Sequence, residues 1–172
     1  GLTGALIMRA ADAAGLPAGV LNMICGDGST GQAMVDHPGF DGFAFTGSHK
    51  VGSEMLRKVA SGVFNRPVIA EMGGKNPTYV AASADVERAA QGMMRSAFGL
   101  QGQKCSAGSR VYVHSSIRDA FADRLVALTK SIRIGDPCGR DIFMGPIINE
   151  AAFRRFEKAS AEGITVVGYD RL

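Results

Sequence analysis

Gly42-Phe43-Ala44-Phe45-Thr46-Gly47-Ser48-His49-Lys50-Val51-Gly52 is the stretch that decides the fold of this chain. Residues 42–45 form a short run of apolar and small side chains, the pattern of a buried strand. Gly47 frees the backbone where the strand ends. Ser48 is of the type that caps helices, because its side-chain oxygen can accept an N–H of the first turn. Met55, Leu56 and Val59 then recur at helical spacing, which predicts a helix from Ser48 to about Ala60. Pro67 to Ala70 is the next β-like run. Strand, helix and strand in that order argue for parallel strands, since a parallel return needs a crossover connection.

The pattern extends in both directions. Thr3 to Ala14 reads as a helix, with Gly15 and Pro17 as its stop signals. Val20 to Cys25 is a short apolar run and is expected to be a buried strand. Gly26 to Gly31 is a turn, followed by a short helix that ends before His37-Pro38. Past Gly73-Gly74, Thr78 to Ala81 begins another strand, and Ser83 or Asp85 can cap a helix to about Phe98. A Gly/Gln loop from Gly99 to Lys104 leads to Cys105. Arg110 to His114 is β-like, and Ser115 or Ser116 can cap an amphipathic helix carrying Phe121, Leu125 and Leu128. Gly135-Asp136-Pro137 ends that segment, Asn149 opens a last helix to about Glu162, and Ile164 to Val167 reads as a final strand. The fold class is therefore α/β with parallel sheets. The best domain boundary is the glycine pair, giving residues 1–72 and 73–172.

Composition narrows the function classes. With 46% hydrophobic and 20% charged residues among 172, the chain is globular rather than disordered. The net charge of +3 comes from scattered Lys and Arg, not the basic stripe a nucleic-acid surface needs. No apolar run approaches the roughly 18 residues that span a bilayer, and no leader pattern opens the chain. Cys25, Cys105 and Cys138 are far apart, without CxxC or Cys/His ligand spacing, so neither zinc nor a disulfide framework is expected. An odd count of cysteines in this pattern reads as reduced and cytoplasmic. The chain begins in mid-helix pattern without an initiator Met, which is read as a missing N-terminal part.

Four strings carry candidate chemistry, each with an ordinary structural alternative. Gly26-Asp27-Gly28-Ser29-Thr30-Gly31 satisfies GxGxxG between a strand and a helix, the form of a dinucleotide phosphate loop. No acidic residue closes a strand about 20 residues on, however, so a plain glycine turn explains it as well. In Phe45-Thr46-Gly47-Ser48-xxx-Gly52, the free N–H groups of a helix start could hold an anion, or the string is a simple strand-cap-helix junction. Glu71-Met72-Gly73-Gly74-Lys75-Asn76-Pro77 places an acid at the carboxyl end of a strand, where parallel sheets bind ligands, or merely at a surface turn. Cys105 lies in a polar loop beside Lys104, with Arg110 near in sequence. Neighbouring cations favour a thiolate, although a lone cysteine is more often structural. Cys25 looks like core and Cys138 like an incidental turn residue. His37, His49 and His114 are widely spaced, and no Gly-x-Ser-x-Gly elbow is present, which disfavours a serine hydrolase. Spacing alone leaves a Cys-His hydrolase open.

Taken in order, Phe45-Thr46-Gly47-Ser48, Glu71-Met72-Gly73-Gly74-Lys75 and Gly102-Gln103-Lys104-Cys105 resemble the aldehyde dehydrogenase superfamily. Glu71 precedes Cys105 by 34 residues, as in that family. Leu16-Pro17-Ala18-Gly19-Val20-Leu21-Asn22 and Met144-Gly145-Pro146 also match. The resemblance implies a three-layer α/β fold in which residues 1–72 are the C-terminal part of a dinucleotide-binding domain. Residues 73–172 would be the N-terminal part of the thiol-bearing catalytic domain. It implies Cys105 as the nucleophile toward an aldehyde, Glu71 as the general base that hydrolyses the thioester, and the Cys105 N–H as one oxyanion donor. It implies cofactor contacts from Ser48 and Gly47 at the pyrophosphate, Gly28 and Gly31 near the adenosine end, and Gly52, Met72 and Gly73. It implies NAD, or alternatively NADP, as the cofactor and no metal. It also implies a small aldehyde as the partner, and self-association through the helix corresponding to Ser48–Ala60. The apolar residues of that helix are equally explained as sheet-facing core.

Ser96 to Ala107 and Glu71 to Asn76 are most similar to the 1-pyrroline-5-carboxylate dehydrogenase branch, which oxidises glutamate semialdehyde. Asn76-Pro77 also resembles general semialdehyde dehydrogenases. Glu71 argues against the acyl-transferring relatives that pass the thioester to coenzyme A or phosphate. The family's upstream Asn oxyanion donor and downstream Glu-x-Phe-Gly-Pro segment do not occur, so the chain is expected to be a middle portion with little turnover of its own.

Overall fold

The computed structural model describes residues 1–162. They divide into two compact units, Gly1–Met72 and a second beginning at Gly73.

The first unit opens with α1 (Leu2–Ala13). Its end is a glycine-dependent stop. Gly15 N–H donates to Asp12 O at 2.9 Å and Leu16 N–H to Ala11 O at 3.1 Å, with Gly15 at φ +79. A side chain at that left-handed position would be strained, which is why glycine follows the helix. The run Val20–Cys25 is not a strand. Val20 and Ile24 are exposed, and so is Cys25. An apolar run becomes a buried strand only if a partner strand takes its N–H and C=O groups, and the single sheet of this unit contains two other strands. Met23 instead lies over Gly4 of α1.

α2 (Gly28–Asp36) follows, then β1 (Phe43–Thr46), α3 (His49–Ala60) and β2 (Val68–Glu71). β1 and β2 are parallel, in register from Phe43 opposite Val68 to Thr46 opposite Glu71. The α3 crossover provides the return expected from the sequence. Burial alternates along both strands, so one face of the sheet is covered and the other open. Gly52, Met55 and Val59 occupy the less exposed side of α3, whereas Leu56 is exposed. Gly52 and Val59 are buried outright.

In the second unit β3 (Asn76–Val80) pairs in parallel with β4 (Gly108–Val113), and α4 (Val86–Phe98) connects them. Asp85, rather than Ser83, caps α4: Arg88 N–H donates to its Oδ1 at 3.0 Å. α5 (Arg118–Lys130) packs against α4, and Val80, Ala90, Met93 and Phe121 form the buried core. Burying a Phe such as Phe121 is worth about 1.5–3 kcal/mol. Neither Ser115 nor Ser116 caps α5. A short 3-10 turn, Ser115–Ile117, precedes it, and the His114 side chain receives the Ser116 N–H at 3.2 Å. Imidazole Nδ1 can serve as the acceptor that a serine would otherwise provide. α6 (Glu150–Glu162) starts as expected at Asn149, whose Oδ1 accepts from Ala152 N–H at 2.9 Å. The expected strand Ile164–Val167 lies outside the described residues.

No helix among the described residues is long and apolar enough to cross a membrane. No group of three or more His, Cys, Asp or Glu among them could hold a metal ion.

Candidate active site

The carboxyl edge of the β1–β2 sheet gathers several of the candidate residues. Thr46 and Glu71 are the last, paired residues of the two strands. The ladder extends one step further, with Gly47 N–H donating to Glu71 O at 3.0 Å. Ser48 then caps α3, its Oγ accepting from Val51 N–H at 3.3 Å. That leaves the serine hydroxyl proton and the first N–H groups of a 12-residue helix for an anion. Gly47 has a packing reason rather than a positive-φ one, because a Cβ there would overlap the Phe45 ring. Gly52 is the contact between α3 and the strand end. A Cβ on it would lie 2.6 Å from Met72 Sδ and 3.3 Å from the Phe45 ring. Glu71 itself is exposed.

The start of α2 is built differently. Asp27 is its N-cap, accepting from Ser29 N–H at 2.9 Å and from Ser29 Oγ–H at 2.6 Å. The Ser29 hydroxyl bond, followed by backbone N–H groups, holds the Asp27 carboxyl below its ordinary range. A carboxylate therefore already sits at the positive end of this helix, where an incoming phosphate would meet repulsion. The GxGxxG string is thus a capped turn. Gly28 and Gly31 instead line a cleft of about 630 Å³, whose other walls include Val35, Phe45, Val51 and Met55. A Cβ on either glycine would meet nothing within 4 Å, so both leave the cleft wall low. Lys58 stands at this cleft and pairs with Asp36 at 3.0 Å.

In the second unit, Leu100, Gln101 and Gly102 all have positive φ, at +52, +57 and +68. This left-handed turn delivers the chain to Cys105. Ala107 N–H donates to Lys104 O at 3.3 Å, closing a turn with Cys105 and Ser106 at its corners. In a planar trans peptide the N–H points opposite to the C=O. The Cys105 N–H therefore faces away from the turn interior, and the thiol is exposed. Two further contacts hold the loop. Asn76 Nδ2 donates to Cys105 O at 2.6 Å, and Gln103 Oε1 accepts from Ile148 N–H at 3.3 Å.

Residues 1–168 match the family model for the aldehyde dehydrogenase family. The chain belongs to that family. The resemblance drawn from its motifs is thereby confirmed. It is 46% identical over 150 residues to the 1-pyrroline-5-carboxylate dehydrogenase of Bacillus subtilis, covering 84% of this chain and 29% of that protein. Among solved structures it is similar to an NAD-dependent aldehyde dehydrogenase from Sinorhizobium meliloti. There the TM-score is 0.89 at 36% identity, over 95% of this chain and 32% of that one. It is also similar to a 1-pyrroline-5-carboxylate dehydrogenase from Thermus with bound NAD. That likeness has a TM-score of 0.86 at 29% identity, over 94% of this chain and 32% of that one. The chain spans about a third of the length of the curated relatives it matches.

The structure places the family's motif residues in two groups. Gly28, Gly31, Gly47, Ser48, Gly52, Glu71 and Met72 belong to the first unit, and Gly73 and Cys105 to the second. A Cβ on Gly73 would meet nothing within 4 Å. The expectation that Cys25 is a core thiol fails, because it is exposed like Cys105 and Cys138. Exposure therefore does not single out Cys105. The sequence reading also passed over the Asn76 side chain. The available signal was Pro77: a proline inside a strand removes a ladder donor, so another group must satisfy the facing carbonyls.

Proposed function

We propose that this chain is the segment of an NAD-dependent aldehyde dehydrogenase that carries the nucleophile, the hydrolytic base and part of the dinucleotide cradle. Residues 1–72 belong to the dinucleotide-binding domain and residues 73–172 to the catalytic domain. One observation carries the reading: the Ser48 helix start and the Glu71 carboxylate end adjacent parallel strands, tied by the bond from Gly47 N–H to Glu71 O at 3.0 Å. Ligands of such sheets bind at the carboxyl ends of strands.

The residues present fit the cofactor. The α3 N-terminus, Ser48 Oγ and Gly47 suit a pyrophosphate. The cleft of about 630 Å³, with Gly28 and Gly31 on one wall and Phe45 and Val51 on another, suits the flat adenosine end. Gly52 packs against Met72 at that strand end, and Met72 and Gly73 complete the proposed cofactor residues. NAD, when bound, supplies the acceptor for the hydride lost by the substrate; NADP would supply the same chemistry.

Cys105 as thiolate adds through Sγ to the aldehyde carbon, and the carbonyl oxygen takes the negative charge beside the outward-facing Cys105 N–H. Oxidation of that carbon leaves a thioester on Sγ. Glu71 removes a proton from water, the resulting hydroxide adds to the thioester carbon, and the Cys105 thiolate leaves as the carboxylic acid forms. The substrate class that fits the strings Ser96–Ala107 and Glu71–Asn76, and the names of the relatives, is a semialdehyde such as glutamate semialdehyde. The full enzyme is a homo-oligomer of the cytoplasm. The 172 residues alone lack the upstream Asn and the downstream nicotinamide-ribose segment, so their own turnover is low.

The test uses p-nitrophenyl acetate, which acylates an activated thiol without any cofactor. Mass mapping should find acetyl on Cys105 well ahead of Cys25 and Cys138. Glu71→Gln should lengthen the life of that acyl group. Equal, slow acylation of all three cysteines would sink the nucleophile assignment. An unchanged acyl lifetime in Glu71→Gln would sink the base.

A further inference from the structure

Pro77 has no N–H, so β3 cannot complete its ladder to β4 at that position. The register slips there: Asn76 pairs with Gly108 and Pro77 with Arg110, which leaves Ser109 as the extra residue. The half-buried Asn76 side chain takes over beyond the end of the strand. Its Nδ2 donates to Cys105 O at 2.6 Å and to Ala107 O at 3.2 Å, so both amide protons are used. The Ser109 hydroxyl donates back to Asn76 O at 3.5 Å. Gly74 leaves the room, since a Cβ there would lie 3.0 Å from Asn76 Oδ1 and 3.2 Å from Cys105 O.

These bonds act on both peptide planes that flank Cys105. The plane before it is tied through Lys104 O to Ala107 N–H at 3.3 Å. The plane after it is tied through Cys105 O to Asn76. Two fixed planes set the φ and ψ between them and thus the direction of the Cα–Cβ bond. Without Asn76, the long turn bond alone would hold the corner.

We propose that Asn76 is the positioning residue of the Cys105 thiol. Its carboxamide holds the Lys104–Ala107 turn in the one orientation that presents Sγ and turns the Cys105 N–H outward. The proposal rests on the reading of Cys105 as the nucleophile. Asn76 acts only through the backbone and touches no reacting atom. An isosteric carboxylate cannot replace it, because two carbonyl oxygens would then face an acceptor. A protonated carboxyl could donate once.

The experiment is hydrogen exchange of the segment 104–108 in the 172-residue chain, with Val111–Val113 and Phe121–Leu128 as internal reporters that the unit is folded. Asn76→Ala should speed exchange of 104–108 about tenfold or more, as losing two hydrogen bonds implies, and leave the reporters unchanged. Asn76→Asp should match Asn76→Ala near about pH 8 and return toward the parent chain as pH falls to about 4.5, where the introduced carboxyl becomes a donor. A purely space-filling role would show no such return. If Asn76→Ala fails to fold, Asn76→Ser, which keeps one donor, should show a smaller effect in the same segment. In parallel, p-nitrophenyl acetate should acylate Cys105 several-fold more slowly in Asn76→Ala, with Cys25 and Cys138 unaffected. Unmoved exchange, an absent pH return or an unchanged Cys105 rate overturns the positioning role and leaves the nucleophile reading standing. If the parent chain shows no preference for Cys105, the nucleophile reading itself falls and the role of Asn76 with it.

Discussion

The backbone N–H of Gly47 donates to the carbonyl of Glu71 at 3.0 Å, one step beyond the last paired residues of β1 and β2. The proposed pyrophosphate turn and the proposed base are therefore neighbours along one sheet edge.

Ser48 separates cap from ligand contact. Ser48→Ala removes the acceptor for Val51 N–H and should cost about 1 kcal/mol of stability. Ser48→Asp keeps a good cap and adds a charge that the helix dipole favours, but it puts a carboxylate where the pyrophosphate would lie. Melting temperature and NAD titration of both variants check this. The Asp variant should be at least as stable as the parent chain and bind NAD more weakly than the Ala variant does. Parental NAD affinity in Ser48→Asp would remove Ser48 from the cofactor site.

Gly52 responds to side-chain size. In Gly52→Ala the new methyl meets chiefly the mobile thioether of Met72. The cost of moving it is offset by helix propensity, worth about 1 kcal/mol. The net change in urea denaturation should stay within about 1 kcal/mol. Gly52→Val also forces the Phe45 ring and should lose about 1–3 kcal/mol. Equal stability of the two variants would mean that α3 does not pack on the sheet as described.

Glu87 gives the second unit an acid-sensitive link. Hydrogen bonds from Arg124 and then Gln91 hold its carboxyl below the ordinary glutamate value. A carboxyl depressed in the folded state stabilises above its unfolded value and loses that contribution as pH falls through the folded one. Both side chains are about half in contact with solvent, so screening keeps the effect small. Glu87→Gln should flatten the acid limb of a melting-temperature profile below about pH 4.5. It should also lower stability slightly near neutrality. Superimposable profiles would show that the pair contributes nothing.

Cys25 offers a check on the apolar run around it. Because it is exposed, iodoacetamide should label it in native buffer within a few-fold of its rate in urea. Strong native protection would restore the buried strand that the residues Val20–Cys25 suggest.

Local rules made the capped elements legible from sequence. Gly15 stops α1, and Ser48, Asp85 and Asn149 start helices, each through contacts within a few residues. The motifs around Glu71 and Cys105 were legible as those of the family, because the residue types and their order are specific. Two expectations failed, one for want of a distant partner and one to a competing neighbour. Val20–Cys25 is apolar enough for a strand, but a strand exists only with a neighbour. Ser115 and Ser116 are good caps, but His114 receives the N–H first.

The amino-acid sequence by itself determined the α/β alternation, the helix ends and the identity of the nucleophile and base candidates. These depend on periodicity, capping and reactive groups, all short-range properties. The Asp27 cap of α2 is likewise local, joining residues two positions apart; what only the tertiary structure decided lies in the longer-range contacts. Tertiary structure alone brought Gly47 to Glu71 and the Asn76 carboxamide to Cys105 O at 2.6 Å. Those contacts join residues 24 and 29 positions apart. Such pairs meet only when strand register is set, because register depends on which faces are buried together and not on either segment alone.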